Sequence, residues 1–122
     1  MKQIRELART LPVMAETEVL VVGSGPGGLA AALASARQGA DTMLVERYGC
    51  FGGNITQACV ASIAWYRHPQ TLEAGGIGQE FEQRAIDMDA ATPEVQSSSH
   101  ALDTEMFKYI ADRMIVESRV RP

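Results

Sequence analysis

The first half of the chain alternates between short continuous apolar runs and apolar residues at helical spacing. A continuous apolar run predicts a buried strand at about residues 18–22, and a second run predicts a strand at residues 42–45. Between them, apolar residues recur at helical spacing, which predicts a helix at residues 26–38 with Gly39 directly after its end. The positions predicted to face the sheet are Leu29, Ala32, Leu33 and Ala36. The pattern therefore predicts a strand, a helix and a second strand.

Helical spacing returns twice in the second half. It predicts an amphipathic helix at residues 77–88, marked by Ile77, Phe81, Ala85 and Met88. Asp103 is suited to cap a last helix that ends at about residue 117, with Glu105 in its first turn. The residues predicted to be buried on that helix are Phe107, Ile110, Ala111 and Met114.

The remaining segments carry weaker patterns. Residues 2–10 can form a short helix that Pro12 ends, with Ile4, Leu7 and Ala8 on one side. Residues 56–66 are apolar and favour a helix in their first half. The segments that read as loops are 47–54, 67–76 and 89–102, and a third strand could start at residues 120–122.

The turn after the first strand reads Gly-Ser-Gly-Pro-Gly-Gly at residues 23–28. Gly23 allows a tight turn, Gly25 lets a pyrophosphate approach the backbone, and Gly28 lets the helix pack closely on the strands. Pro26 has a φ that suits the first helical turn and no N–H to lose. The free N–H groups at such a helix start attract an anion.

An acid at the end of the second strand completes the pattern. Glu46 follows Gly28 by 18 residues, close to the spacing at which an acid binds a ribose in dinucleotide-binding βαβ units. A carboxylate at this position would repel a 2′-phosphate, which argues against NADP. The alternative is an ordinary glycine turn without a nucleotide, and the strand, helix and acid at the expected distances disfavour it.

A second glycine motif follows the acid. Glu46 is followed by five residues and then by Gly52 and Gly53, a pair that allows another backbone segment to approach a cofactor closely. Together with VVGSGPGGLAAA, this resembles the FAD-binding N-terminus of the two-dinucleotide-binding-domain flavoproteins. The pattern ERYGxxGGxxT, which ends at Thr56, resembles the family of FAD-dependent oxidoreductases within that superfamily. The resemblance extends over residues 11–122, including Gly75-Gly76 and DTEMFKYIADRM.

The resemblance implies an α/β fold, a Rossmann-like FAD-binding βαβ unit with additional helices. It implies that the glycine turn surrounds the FAD diphosphate, that Glu46 binds the adenosine ribose and that Arg47 lies beside the adenine. It places Gly52 and Gly53 near the ribityl–diphosphate part, where Thr56 offers a hydroxyl or a backbone N–H. The full set of expected cofactor-binding residues is Gly23, Gly25, Pro26, Gly27, Gly28, Glu46, Arg47, Gly52, Gly53 and Thr56.

The expected function is the FAD-binding portion of a flavin-dependent oxidoreductase, in which FAD accepts hydride or electrons from a small-molecule substrate. The alternative is a non-catalytic FAD- or NAD-binding subunit that works only with a partner chain. No catalytic residue can be named from this sequence, because the substrate residues of the family lie in later sequence. We expect this chain alone to lack a complete active site.

Composition narrows the class of protein. The net charge of −4 does not suggest a nucleic-acid or anionic membrane partner. No secretory signal is apparent, and no apolar run approaches the roughly 20 residues that a membrane helix needs. Two cysteines cannot build a disulfide framework, so a reducing, cytoplasmic setting is expected.

Length limits the number of strands. A sheet of this class has several parallel strands, and the 122 residues contain two clear ones. We therefore expect residues 1–15 to form an N-terminal arm and residues 16–122 to be the N-terminal part of an FAD-binding domain. A missing C-terminal region or a partner chain would complete the fold.

The cysteines separate this chain from two relatives of the superfamily. Disulfide-reductase flavoproteins place a redox cysteine pair soon after the glycine pair, whereas residues 54–59 contain only Cys59, which argues against a dithiol mechanism. Relatives with iron–sulfur clusters need closely spaced cysteines, which Cys50 and Cys59 cannot supply. Cys50 is expected to fill a tight loop rather than to act as a thiol near the flavin, and Cys59 to be buried and inert.

Other reactive side chains have plain explanations that we favour. His68 and His100 could act as acids or bases, but solvated loop histidines are the simpler interpretation. Trp65 and Tyr66 could border the isoalloxazine, or they could pack in a core or interface. Asp87 and Asp89 could suggest a metal site, but a solvated helix end is the simpler interpretation, and no metal site is expected.

Overall fold

The computed structural model describes residues 2–62, 74–95 and 98–122. The elements are β1 (Val19–Val22), α1 (Pro26–Arg37), β2 (Thr42–Val45), α2 (Asn54–Gln57), α3 (Ile77–Asp87), β3 (Ala91–Pro93), β4 (His100–Leu102) and α4 (Thr104–Glu117). β1 and β2 pair in parallel, and β3 and β4 form an antiparallel pair. The chain is thus a small α/β protein compatible with part of a Rossmann-like unit, as the sequence predicts.

The β1–α1–β2 unit forms where the hydrophobic pattern places it. Leu29, Ala32 and Leu33 of α1 are fully buried and Ala36 is half-buried, so this face of the helix packs as predicted. The helix ends at Arg37, and Gly39 lies two residues later with φ +94°, as expected for the residue after a helix C-cap. Thr42 and Leu44 of β2 are buried, which fixes the side of the sheet that packs on the helices.

α3 and α4 complete the core. The predicted residues Phe107, Ile110, Ala111 and Met114 are all buried on α4. The carboxylate of Asp103 accepts hydrogen bonds from the N–H groups of Glu105 and Met106 at 2.9 and 3.0 Å, which confirms the predicted cap. Phe81 of α3 stacks on Phe107 of α4 with 4.8 Å between the ring centroids, so these aromatic rings join the two helices.

The expected start of a third strand is confirmed at the end of α4. Arg121 forms a parallel bridge with Met43. Its N–H donates to the carbonyl of Thr42 at 2.9 Å, and its carbonyl accepts from the N–H of Leu44 at 2.8 Å. The chain therefore pairs with β2 on the side away from β1.

Three sequence predictions are wrong. Residues 2–10 form no helix, because Ile4 and Leu7 are more than nine-tenths exposed and so short a helix needs packing to be stable. The segment 89–102 is not only loop, since it contains β3 and β4. Of the apolar segment that begins at residue 56, the described residues 56–62 contribute only the end of α2, which stops at Gln57.

Some predictions lie outside the described residues. These are the helix or loop character of residues 63–73, together with the candidates Trp65, Tyr66 and His68. Within the described ranges, no helix is long and apolar enough to cross a membrane. No group of three or more His, Cys, Asp or Glu residues in the same ranges could hold a metal ion.

Candidate dinucleotide-binding site

The glycine turn joins β1 to the start of α1. Gly23 has φ +95°, and its N–H donates to the carbonyl of Val45 at 2.8 Å, which ties the turn to the end of β2. Gly25 is the N-cap of α1, and among the described residues no side chain caps this end. The first turn contains no acidic residue, and a Cβ at Gly25 or Gly27 would meet nothing within 4 Å. The positive end of this 12-residue helix therefore has open space beside Gly25 and Gly27, an arrangement that suits a phosphate.

Gly28 has a different task in the same turn. A Cβ at this position would lie 1.9 Å from the carbonyl oxygen of Gly23, far inside any contact distance. The side chain is therefore absent so that the helix can pack against the turn, as the motif predicts.

The second glycine pair lies directly on the first motif. A Cβ on Gly53, whose φ is +56°, would lie 2.6 Å from the Cα of Gly25. Gly52 has φ +120°, and its N–H donates to the carbonyl of Ser24 at 3.0 Å. The fold thus brings together two glycine motifs that are more than twenty residues apart in the sequence.

Glu46 lies at the same place, half-buried and held by four donors. Its Oε2 accepts from the N–H of Ser24 at 2.7 Å and from the Ser24 hydroxyl at 2.5 Å. Its Oε1 accepts from the N–H groups of Arg47 and Tyr48 at 2.7 and 3.0 Å. These bonds, the Ser24 hydroxyl first among them, lower the pKa of Glu46 to about 2, so the carboxylate is ionised at neutral pH.

Arg47 and Thr56 flank this centre in different ways. The Arg47 guanidinium lies 4.7 Å from the centre of the Tyr48 ring and donates to its hydroxyl at 2.7 Å. The side chains of Arg47 and Tyr48 are both exposed, so a positively charged guanidinium on an aromatic ring lies at the edge of the site. Thr56 is buried, and its hydroxyl donates to the carbonyl of Phe51 at 2.9 Å. That hydroxyl is therefore engaged within its own loop.

A buried acid that the sequence interpretation missed lies on α3. Glu82 is 3% exposed, and its Oε1 lies 2.8 Å from Nδ1 of His100 on β4. His100 is half-buried, so its interpretation as a solvated loop histidine is wrong. A signal for its burial was present, because Glu82 precedes the predicted core residue Ala85 by three positions, a spacing that places two side chains on the same face of a helix.

Beside this pair is a small apolar cavity of about 90 Å³. Its walls come from α1, α2 and the segment after it, α3, β4 and α4, and they include Leu29, Ile55, Phe81, Leu102 and Phe107. Pro26, at the start of α1, also lines it, so the cavity lies close to the glycine turn.

The two cysteines differ in their surroundings. Cys50 is half-buried in the loop after β2, and its Sγ accepts from the Gln57 side-chain amide at 2.9 Å. Cys59 is exposed, which overturns its predicted burial. The reason is that α2 ends at Gln57, so the following residues leave the core.

A strand, a glycine turn that leads into an uncapped helix, and a second parallel strand that ends in a fixed acid define a nucleotide-binding α/β protein. The family model described as "FAD dependent oxidoreductase" matches residues 18–122. The chain therefore belongs to this family, as its sequence motifs imply. FAD, the cofactor expected from the sequence, is the cofactor that the family description names.

Three curated relatives of this chain are longer proteins that are named dihydrolipoyl dehydrogenases. The chain is 46% identical over 65 residues to a dihydrolipoyl dehydrogenase of Haloferax volcanii, covering 53% of this chain and 14% of the relative. It is 46% identical over 82 residues to dihydrolipoyl dehydrogenase 2 of Haloarcula marismortui, covering 62% and 17%. It is 34% identical over 82 residues to the mitochondrial dihydrolipoyl dehydrogenase of Mus musculus, and this match covers 66% of this chain and 15% of the relative. The aligned part of the chain thus spans 14% to 17% of the length of these relatives.

Proposed function

We propose that this chain is the FAD-binding portion of a flavin-dependent oxidoreductase. The observation that carries the proposal is the junction of Gly25, Gly53 and Glu46 at the open start of α1. Backbone N–H groups with positive potential suit the diphosphate, and an ionised carboxylate nearby suits ribose hydroxyls.

The proposed roles follow the parts of FAD. The turn residues Gly23, Gly25, Pro26, Gly27 and Gly28 surround the diphosphate. Glu46 accepts hydrogen bonds from the adenosine ribose, and the exposed Arg47 lies beside the adenine. The backbone of Gly52 and Gly53 passes the ribityl–diphosphate part, with Thr56 supporting that loop through its hydroxyl bond to Phe51.

FAD, when bound, supplies the acceptor of hydride or electrons. The chain supplies the groups that hold and orient it. The electron donor in this proposal is a small molecule, and the dihydrolipoyl group in the relatives' names is one compound to test. Because Cys59 is the only cysteine in residues 54–59, we propose that electrons reach the flavin without a cysteine pair in this part of the chain.

The same proposal covers the extent of the domain and its setting. Residues 1–15 are an arm, and residues 16–122 are the N-terminal part of the FAD-binding domain. Leu20 and Val22 are exposed on one face of the β1–β2 sheet, although parallel sheets are normally covered on both faces. This exposure favours completion by further chain or by a partner chain, and it keeps a non-catalytic FAD- or NAD-binding subunit as the second candidate. We place the protein in the cytoplasm.

Titration of the purified protein with FAD and with NAD tests the proposal. We expect FAD to bind with a visible flavin spectrum and NAD to bind far more weakly. Replacement of Glu46 by Ala removes hydrogen bonds to a charged acceptor, each worth roughly 1.5–3 kcal/mol, so FAD affinity should fall about tenfold or more. Asp112→Ala, which removes an exposed carboxylate on α4, is the control and should bind FAD like the wild type.

A colourless protein that NAD stabilises and FAD does not would support the nucleotide-binding subunit instead. Equal FAD affinity in the Glu46 variant and the wild type would reject the assignment of the ribose site. Reduction of the bound flavin by dihydrolipoamide in the intact protein would identify that compound as a donor.

A further inference from the structure

Ser24 connects all three parts of the proposed site. It is fully buried between Gly23 and Gly25. Its N–H and its hydroxyl both donate to Oε2 of Glu46, at 2.7 and 2.5 Å. Its carbonyl accepts from the N–H of Gly52 at 3.0 Å. One residue therefore fixes the glycine turn, the acid and the second glycine pair relative to one another.

We propose that Ser24 is the positioning residue of the nucleotide site, whose hydroxyl orients the Glu46 carboxylate for the ribose. This inference rests on the proposed function, and it assigns a role to a position that the glycine motif leaves open. Ser24 acts through Glu46 and does not itself contact the nucleotide, because its side chain has no exposed surface.

The geometry explains how the carboxylate can be held and still bind a ligand. Both donors to Oε2 come from a fully buried residue, whereas Glu46 is half-buried. The Glu46 carboxylate is thus held by donors on its buried side, and part of its side chain remains accessible to solvent. A side chain that is already fixed loses little conformational entropy when the ribose binds, which raises affinity.

The ionisation of Glu46 supports the same role for Ser24. The Ser24 hydroxyl is the largest cause of the lowered pKa of Glu46, followed by the Ser24 N–H. An ionised carboxylate accepts stronger hydrogen bonds from hydroxyl groups than its protonated form does. Loss of the hydroxyl should therefore raise the pKa of Glu46 and weaken the ribose contact together.

FAD affinity of the intact apoprotein, measured by flavin fluorescence between pH 3 and pH 7, tests the inference. For Ser24→Ala, affinity at pH 7 should fall roughly tenfold, since the Glu46 carboxylate must then be ordered when the ribose binds. The pH at which affinity begins to fall should also move upward. Ser24→Cys keeps a weak hydrogen-bond donor of similar size, so its FAD affinity should lie between those of the wild type and Ser24→Ala.

The Glu46→Ala background separates positioning from simple packing. In that background there is no carboxylate to orient or to titrate, so Ser24→Ala should change FAD affinity less than twofold and leave the pH profile unchanged. An equal loss in both backgrounds would overturn the inference, since the serine would then act only through the loop. Wild-type affinity and an unchanged profile for both Ala and Cys variants would overturn it as well. A wild-type protein that binds no FAD would instead overturn the proposed function, and the inference with it.

Discussion

Gly25 and Gly28 are three positions apart, yet they lack side chains for different reasons. A Cβ at Gly25 would meet no atom within 4 Å, whereas a Cβ at Gly28 would collide with the carbonyl of Gly23. The first glycine should therefore affect binding and the second should affect stability.

Gly25→Ala should lower FAD affinity about tenfold or more, because its methyl group occupies space that the diphosphate needs. The free energy of unfolding should change by less than about 0.5 kcal/mol, since the lost flexibility of the unfolded chain offsets a poorer N-cap. FAD titration and urea unfolding measure the two quantities. Gly49→Ala, whose Cβ would also meet nothing within 4 Å, is the control and should alter neither.

Gly28→Ala should lower the free energy of unfolding by about 1–3 kcal/mol or more, because the turn must move away from the new methyl group. Urea unfolding without FAD is the measurement. Gly27→Ala lies in the same helical turn with open space around its Cβ, and it should be neutral or stabilising by up to about 1 kcal/mol. Equal stability of the two variants would contradict the packing role of Gly28.

Local geometry or spacing sets each glycine and Glu46, so the sequence predicts most of the residues in the proposed site. It missed the contact between Glu82 and His100. That pair depends on how the β3–β4 hairpin lies over α3, and no local pattern encodes such an arrangement.

Helices α1, α3 and α4 are joined by charged side chains at their surface. Arg37 donates to both carboxylate oxygens of Glu80, at 2.6 and 3.0 Å, and Arg84 binds both Glu80 and Glu117. The side chains of Arg37, Glu80 and Arg84 are about one third exposed. A network with bidentate geometry is more stabilising than isolated surface pairs.

Glu80→Gln should therefore lower the free energy of unfolding by about 0.5–1 kcal/mol at low salt and by less at 1 M salt. The hydrogen bond from Arg37 lowers the pKa of Glu80 below its usual 4.5, so this stabilisation is present above pH 4.5 and is lost as the pH falls further. Urea unfolding at two salt concentrations and at pH 7 and pH 3 measures it.

Glu105→Gln is the matched control, because its carboxylate pairs with Lys108 while remaining three-quarters exposed. Its effect should be smaller than that of Glu80→Gln. Equal losses in the two variants, or a loss that salt does not reduce, would argue against a network that joins the helices.

The elements also show where hydrophobic pattern is sufficient and where it fails. α1, α3 and α4 have apolar faces that pack, and their predicted bounds differ from the observed ones by a residue or so. The N-terminal segment has a similar spacing but packs on nothing, and it forms no helix. Helical spacing is decisive only where a partner surface exists.

On the scale of the whole molecule, one face of the β1–β2 sheet is apolar and uncovered. Leu20, Val22 and Val45 are exposed there, with Val22 paired beside Val45 in the register. A contiguous apolar face of this kind promotes association.

Val22→Ser should therefore reduce concentration-dependent self-association of the 122-residue chain, measured by sedimentation velocity. Val116→Ser is the control, since Val116 on α4 is 74% exposed against 76% for Val22 but lies outside the sheet. The control should sediment like the wild type. Identical behaviour of the two variants would show that the sheet face does not drive association.

Backbone sterics and hydrophobic period act over a few residues, so the amino-acid sequence is sufficient to predict the βαβ unit, the glycine turn and the acid at the end of β2. Three contacts become visible only in the folded chain: Gly53 lies against Gly25, Ser24 donates to Glu46, and Glu82 pairs with His100. These contacts join residues that are 18 to 28 positions apart. Their geometry depends on how whole elements pack, and a local pattern carries no information about that.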